Sequence, residues 1–202
     1  TYPVLQWAKK ADAIAFLVGT PDEKKDGDGH QIVLATDLTA KKPTLRVFDP
    51  SKVGEFPKDF RIVEFGDFEV TEDASSISFG IKAWADKKKP TGKPDDKPTV
   101  DIWHYKDVDP QPLQIKQLEG KKRENFTCVW RTQKNLFFQI GNDRWTDVTL
   151  LKGHRYALIQ DDKAYETPVV VGGLSFSDYY LVEIDTARKE KVLEKRQFGP
   201  IP

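Results

Sequence analysis

The hydrophobic positions of this chain follow one pattern three times. A short apolar strand, a polar turn and a second apolar strand occupy residues 4–18, 68–81 and 148–160. Within each pair, apolar and polar residues alternate with period two, which is typical of β-strands that bury one face. Two further strand-like runs follow each pair. Recurrence on this scale predicts a stacked or radial repeat architecture.

The pattern predicts four strands in each of the first and third units. In the first unit, a loop at residues 19–29 separates the second strand from the third. In the third unit, residues 185–188 form a tight turn between the last two strands. The predicted strands of these two units are Val4–Trp7, Ala13–Val18, Gln31–Ala35, Thr44–Phe48, Val148–Leu151, Arg155–Ile159, Tyr179–Ile184 and Glu190–Glu194.

The second unit is longer and is also predicted to consist of strands. A connection at residues 49–58 leads into it, and a loop rich in Lys, Pro, Gly and Asp at residues 86–97 interrupts it. No segment keeps a helical hydrophobic period for more than two turns, so we expect no substantial helix. The predicted strands are Phe68–Val70, Ser76–Ile81, Val100–Tyr105, Leu113–Gln117, Phe126–Trp130 and Asn135–Ile140.

Four antiparallel strands joined consecutively are the plan of a β-propeller blade. We therefore predict an all-β fold: a single domain, residues 1–202, that is a partial β-propeller of about three four-stranded antiparallel blades. The blade-like units are roughly 1–66, 67–143 and 144–202. A β-sandwich has no reason to repeat one strand order with the same turn chemistry. Because a closed propeller has about four to eight blades, we expect an arc that other blades or other chains complete.

Composition narrows the range of partners. The 32 basic and 32 acidic residues balance, which gives no electrostatic reason to expect nucleic acid or an anionic membrane surface. No run approaches the ~20 apolar residues of a membrane span, and none resembles a signal peptide. The chain contains no Met, which we interpret as a processed chain or an excised piece of a longer one.

Residues with catalytic or metal-binding chemistry are few. Cys128 is the only cysteine, lies in an apolar run and is expected to be a buried, inert thiol. The three histidines, His30, His104 and His154, fall in different units. Their spacing suggests neither a catalytic triad nor a His-rich metal site. His104 is expected on a strand and His154 in a turn.

The best candidate for a metal site is the segment at residues 22–29. It places Asp22, Asp26 and Asp28 beside glycines on a sharp turn, and carboxylate oxygens are ligands that calcium prefers. The acidic residues do not keep the spacing of an EF-hand calcium loop, and lysines lie among them. We favour a hairpin turn, keep calcium as the alternative, and expect no cofactor.

The tryptophans are candidates for ligand binding. Most of the five lie within strand patterns and are expected to pack between strands. Trp84 and Trp145 stand at strand ends beside loops, so these two are the candidates for binding a sugar or peptide by stacking.

Six segments of the chain form a recognisable set. One is the run at residues 100–114, V-D-I-W-H-Y-K-D-V-D-P-Q-P-L-Q. The others are Phe48–Pro50, Phe79–Ile81, Asn135–Ile140, Gly153–Leu158 and Asp161–Tyr165. As a set and in the same order, they resemble the propeller of bacterial serine peptidases of the prolyl oligopeptidase family, which are dipeptidyl-peptidase-like, and the first run is similar to the I-W-H-W-K-D-P stretch of that propeller. Together they are spread over most of the chain, from residue 48 to residue 165.

In that family, the propeller covers an α/β-hydrolase domain with a Ser, Asp and His triad and limits which peptides reach it. This chain has no G-x-S-x-G nucleophile elbow, since the Gly-rich run at residues 172–177 lacks that spacing. The resemblance implies a non-catalytic propeller fragment of a periplasmic or secreted bacterial protein, which gates peptide access to the hydrolase domain and supports it. The alternative is a free-standing propeller-like module that binds a protein or a glycan.

Overall fold

A computed structural model describes residues 3–87, 111–165 and 176–197 of the chain. The strands in these residues, numbered β1 to β13 in chain order, are Leu5–Trp7, Ala13–Thr20, Gly29–Thr36, Thr44–Phe48, Phe60–Val63, Glu69–Val70, Ser76–Ala83, Phe126–Arg131, Leu136–Gln139, Asp147–Leu150, Tyr156–Asp161, Phe176–Glu183 and Arg188–Gln197. The helix α1 covers Gln111–Lys122, and a 3-10 turn covers Pro50–Lys52. The strand predicted at residues 100–105, with His104, and most of the Gly-rich run at 172–177 lie outside the described residues.

The strands form three antiparallel sheets, and strands that follow one another in sequence are mostly neighbours in space. Sheet I has the order β1-β2-β3-β4, and sheet III has the order β10-β11-β12-β13. Sheet II has the order β5-β7-β8-β9. The short strand β6 pairs with the same edge of β7 as β5 does, at a different part of that strand. The predicted all-β class and the consecutive antiparallel order are confirmed. β5 lies between the predicted connection at residues 49–58 and the first predicted strand of the second unit, and it is hydrogen-bonded into sheet II.

The three recurring strand pairs share one hairpin geometry. In each hairpin, five residues connect the two strands. The backbone N–H of the first connecting residue donates to the carbonyl of the residue that begins the second strand. These bonds join Ala8 to Ala13 (3.0 Å), Thr71 to Ser76 (2.9 Å) and Leu151 to Tyr156 (2.9 Å). The repeat seen in the sequence is therefore a repeat of backbone structure.

Sheet I packs on sheet II through the larger of two hydrophobic clusters. Strands β2 and β7 both contribute side chains to this cluster at alternate positions, because successive side chains on a strand point to opposite faces. Each of these side chains is at most 1% exposed. They are Ala13, Ala15 and Leu17 on β2 and Ile77, Phe79 and Ile81 on β7. The small side chains of Ala13 and Ala15 on β2 thus leave room for the large side chains of β7.

An aromatic group lies at the centre of this cluster. The ring of Phe48, at the end of β4, is 1% exposed. Four other rings surround it at centroid distances of 5.4 to 6.3 Å, which suit tilted and edge-to-face packing. They belong to Phe56, Phe79, Trp130 and Phe137.

Sheet II buries its other face against sheet III. The smaller hydrophobic cluster between them contains Val129 of β8 and Ile140 after β9. From sheet III it contains Ala157 and Ile159 of β11, together with Ile184 after β12. Sheet II is consequently covered on both faces, and apolar side chains fill each interface.

The strand predicted at Leu113–Gln117 is wrong, and so is the expectation that no helix forms. These residues lie within α1. The side chains of Ile115 and Leu118 are 64% and 51% exposed, so the helix has no continuous buried apolar stripe from which its period could be detected. Its sequence is rich in Gln, Leu, Lys and Glu, which favour helix formation. Pro112 lies in the first turn, where a helix tolerates proline.

The prediction for Cys128 is confirmed. Its side chain on β8 is fully buried in the first cluster. Burial raises the pKa of the thiol well above its ordinary value, because the thiolate would lose its hydration. Cys128 therefore stays protonated and unreactive.

Replacing Phe48 by Ala should lower the free energy of unfolding by roughly 3–5 kcal/mol, because a buried ring is lost from the aromatic group. Replacing it by Leu keeps much of the volume and should cost less than about half as much. Urea denaturation followed by circular dichroism measures both. Equal losses for the two variants would show that the ring contacts do not stabilise the interface between sheets I and II.

Candidate functional site

A large groove lies where the first strands of the three repeated hairpins meet. Its volume is about 1380 Å³, and residues of β1, β6 and β10 line it together with the hairpin turns that follow them. The residues from these strands are Gln6, Trp7, Glu69, Val70, Val148, Thr149 and Leu150. Among the residues that the structure describes, each of the three strands is paired on one side only. Edge strands of this kind present backbone groups that can pair with another extended chain.

Charged side chains of both signs surround this groove. Most come from the hairpin turns at equivalent places in the three repeats, and the rest come from β6 and the segment that leads into it. The basic residues are Lys9, Lys10 and Lys152, and the acidic residues are Glu64, Asp67, Glu69, Glu72 and Asp73. Because basic and acidic side chains both line the groove, its charge does not favour strongly anionic or strongly cationic ligands.

Glu72 connects the three hairpin turns. Its carboxylate forms an ion pair with Lys10 of the first hairpin and another with Lys152 of the third, at 3.2 Å. Its backbone carbonyl also accepts a hydrogen bond from the N–H of Lys10 at 2.8 Å. Hydrogen bonds from Lys10 and then Lys152 are the largest causes that lower the pKa of Glu72. The charge of Glu72 therefore holds together turns that belong to different sheets.

His154 connects sheet III to sheet II behind the groove. It lies in the third hairpin turn, as predicted, with a positive φ of 52°, and only 1% of the residue is exposed. Its Nδ1 atom lies 3.2 Å from the hydroxyl of Ser76 on β7. Its backbone carbonyl accepts a hydrogen bond from Arg131 at 2.7 Å. Burial lowers the pKa of His154, although nearby Glu69 acts in the opposite direction.

Ser76, His154 and Glu69 bring together a hydroxyl, an imidazole and a carboxylate, but not in the arrangement of a catalytic triad. Ser76 is 0% exposed, so its hydroxyl cannot reach a ligand in the groove. The closest carboxylate oxygen of Glu69 lies 3.6 Å from Nε2 of His154, beyond hydrogen-bonding distance. We interpret Ser76 and His154 as a buried polar connection between sheets II and III, with the exposed carboxylate of Glu69 beside it.

The sequence missed both connections. It identified the polar hairpin turns but predicted no contact between them, whereas Glu72 and His154 each contact another sheet. An alignment of the three hairpins could have predicted the ion pairs of Glu72. Glu72 is acidic at the position where the other two turns have Lys9 and Lys152. No comparable signal marks the contact between His154 and Ser76.

The candidate metal ligands Asp22, Asp26 and Asp28 do not form a ligand cluster. The backbone N–H of Asp26 donates to the carbonyl of Ala85 at 2.8 Å. The carbonyl of Asp28 accepts a hydrogen bond from Arg61 at 2.6 Å. In the described ranges, no three His, Cys, Asp or Glu side chains are placed to hold a metal ion. The segment instead forms a loop that packs against sheet II.

Trp84 packs on the same loop. The guanidinium carbon of Arg61 lies 5.5 Å from the centre of its ring, in a cation–π contact. A Cβ atom added at Gly29 would come within 3.2 Å of the ring, so the loop backbone approaches the indole closely. Trp84 is half-buried and does not line the groove.

Trp145 lines a second, smaller cavity of about 370 Å³ between sheets II and III. The Lys189 ammonium lies 4.2 Å from the centre of its ring. Its indole N–H is buried and has no hydrogen-bond partner in the structure as described. The tryptophan that lines the groove is Trp7, which is 62% exposed and was expected to pack between strands.

The sequence matches no protein-family model, and a search of curated proteins finds no relative. Among the residues with described structure, no helix has the length and apolar character needed to cross a membrane.

Glu72→Gln should reduce thermal stability at pH 7, and the difference from the parent chain should shrink on acidification. The pKa of Glu72 is depressed in the folded state, so its contribution is complete above the unfolded pKa, near 4.5, and disappears as pH falls through the folded pKa. Thermal midpoints at pH 7 and pH 3 measure this. Glu23→Gln, at an exposed position, is the matched control. A deficit of equal size at both pH values would contradict the ionic connection.

Gly27→Ala should lower the free energy of unfolding by about 1–2 kcal/mol, because Gly27 has a positive φ of 90° that disfavours a Cβ atom. That atom would also come within 2.5 Å of the Arg61 guanidinium. Gly54→Ala is the control, since a Cβ atom there meets nothing within 4 Å. If both variants unfold at the same urea concentration, the loop is not held against Arg61 as described.

Proposed function

We propose that this chain is a non-catalytic segment of a β-propeller in which sheets I, II and III are consecutive blades. Its role is to admit peptides to a separate α/β-hydrolase domain of the serine peptidase type and to support that domain. The hydrolase domain and the remaining blades are the expected protein partners. On the basis of the resemblance, we place the parent protein in the periplasm or outside a bacterial cell.

The shared groove is the observation that carries this proposal. Propeller blades surround a central channel, to which every blade contributes a strand. In this chain, β1, β6 and β10 occupy equivalent places in three successive sheets, and all three line one groove. The ion pairs of Glu72 join the equivalent turns of the three sheets. A radial arrangement accounts for this convergence, because it places the same part of each repeat near one axis.

The size and walls of the groove suit an extended peptide. Its volume of about 1380 Å³ exceeds the range of roughly 300–1000 Å³ that is usual for small-molecule sites. Its edge strands can pair with a peptide backbone, and this mode of recognition depends little on side-chain identity. A passage that admits many different peptides needs such tolerance.

One observation favours the alternative, a free-standing module that binds a protein or a glycan. Trp7 is exposed and lines the groove. An exposed indole can stack on the apolar face of a sugar ring as well as on a peptide. The two functions differ in the ligand they require, so a binding assay with both ligand classes separates them.

The purified chain should bind an unstructured, fluorescein-labelled decapeptide but should not hydrolyse a chromogenic prolyl peptide. Fluorescence anisotropy measures the binding. Thr149→Trp places a large ring in the groove and should weaken binding by about tenfold or more. Gln133→Trp, at an exposed position in the turn between β8 and β9, should leave binding unchanged.

Three results would count against the proposal. Hydrolysis that a serine-directed inhibitor abolishes would show that the chain is itself catalytic. Peptide binding that Thr149→Trp leaves intact would show that the groove is not the site. Binding of a chito- or xylo-oligosaccharide without binding of the peptide would favour the glycan-binding alternative.

A further inference from the structure

We infer that the outer face of sheet I, the face turned away from sheet II, is a docking surface for one more four-stranded antiparallel sheet that presents small side chains to it. This assignment rests on the proposed propeller arrangement. It identifies the face on which the next blade packs and the kind of surface that this blade presents.

The outer face of sheet I is apolar across all four strands. The strand register places its side chains in two rows. One row contains Leu5, Phe16, Val33 and Val47, and the next contains Trp7, Ile14, Ala35 and Leu45. The side chains on the two outer strands are the most exposed: Leu5 is 53% exposed, Trp7 62%, Leu45 65% and Val47 50%. A continuous apolar surface of this kind on a sheet marks an interaction site.

On the second strand of each of the other two sheets, the equivalent positions are buried. The shared hairpin aligns β2 of sheet I with β7 of sheet II and β11 of sheet III, and the matching positions can be read directly. They are Ile14, Ile77 and Ala157 at the first position and Phe16, Phe79 and Ile159 at the second. In sheets II and III these side chains are at most 1% exposed, because each packs against the preceding sheet. Sheet I has the same face without a preceding sheet among the described residues.

Both interfaces present in the structure use the same pairing of surfaces. Sheet II places its large side chains on a face of sheet I that presents Ala13 and Ala15. Sheet III packs on a face of sheet II where the aligned positions are Ser76 and Ser78, which are also buried. Small side chains at these alternate positions let two sheets approach closely. The sheet that covers the outer face of sheet I should therefore present small side chains at the same positions.

A second copy of this chain fits this surface less well. Its own sheet III carries Tyr156 and Leu158 at the positions where sheets I and II have Ala or Ser. These larger side chains would keep the sheets apart. The outer face of sheet I is also small, because four strands about 4.8 Å apart and five residues about 3.3 Å apart span roughly 300 Å² in projection. A free second copy held by this face alone would fall short of the roughly 800 Å² per partner that a stable dimer buries. A sheet that is joined to the chain, as sheets I to III are joined to one another, does not have to meet that requirement.

The test measures whether an added sheet protects this face. Leu45→Cys places a thiol on it, and Cys128 gives no background because it is fully buried. The probe is a tandem protein in which a second copy of residues 3–65 is joined to Pro3 of the chain. This junction keeps the 63-residue spacing between the equivalent positions Trp7 and Val70. The added sheet then offers its own Ala13 and Ala15 to the outer face.

In the tandem protein, a maleimide should label Leu45→Cys at least about tenfold more slowly than in the single chain, because the thiol is exposed only when the sheets separate. Ile115→Cys on α1, where the native side chain is 64% exposed, should react equally in both proteins. Ala15→Phe in the added copy alone should restore fast labelling, while circular dichroism verifies that the added sheet is still folded.

Equal labelling of Leu45→Cys in the single and tandem proteins would overturn the docking surface. Protection that survives Ala15→Phe would overturn the requirement for small side chains. Protection in the single chain that rises with concentration, with a doubled mass by light scattering, would identify a second copy as the occupant and would also overturn the assignment. Peptide binding is measured separately, so failure of the proposed groove function is distinguished from failure of docking.

Discussion

Burial of both faces of sheet II is the constraint on which the rest of the structure depends. A sheet stabilised on one face can leave the other polar, but β7 carries Ile77 and Phe79 on one face and Ser76 and Ser78 on the other, all nearly inaccessible to water. This arrangement requires a sheet on each side. It fixes the order of the three sheets and brings β1, β6 and β10, the first strands of the repeated hairpins, to one groove. The packing of the sheets therefore also forms the candidate site.

Polar contacts complement this packing at the ends of the strands. Glu72 connects all three hairpin turns, and His154 contacts Ser76. Arg46 of sheet I donates to the carbonyl of Thr132 after β8 at 3.0 Å. Apolar burial has little directional preference, whereas these hydrogen bonds and ion pairs need particular atoms in particular places. They give the stacked sheets a defined register and therefore give the groove a defined shape.

The candidate site and the inferred docking surface meet at Trp7 and are otherwise different regions. The groove collects the edges of first strands and the charged turns beside them, which remain accessible to a peptide. The outer face of sheet I instead presents Leu45 and Val47 on β4, the edge strand opposite to β1. Large apolar side chains there suit permanent burial, while the mixed charges of the groove suit reversible contact with a ligand.

The sequence alone determined most of the strands, their consecutive order and the repeated hairpin, because alternation of polar and apolar residues and turn chemistry are local properties. It also placed Cys128 in the core. It did not reveal α1, whose exposed Ile115 and Leu118 give no buried apolar stripe. It also did not reveal that Trp7 lines the groove. Only the tertiary structure decided that Glu72 and His154 bridge sheets and that Asp22, Asp26 and Asp28 stay apart. These facts depend on contacts between residues distant in the chain, which no local pattern records.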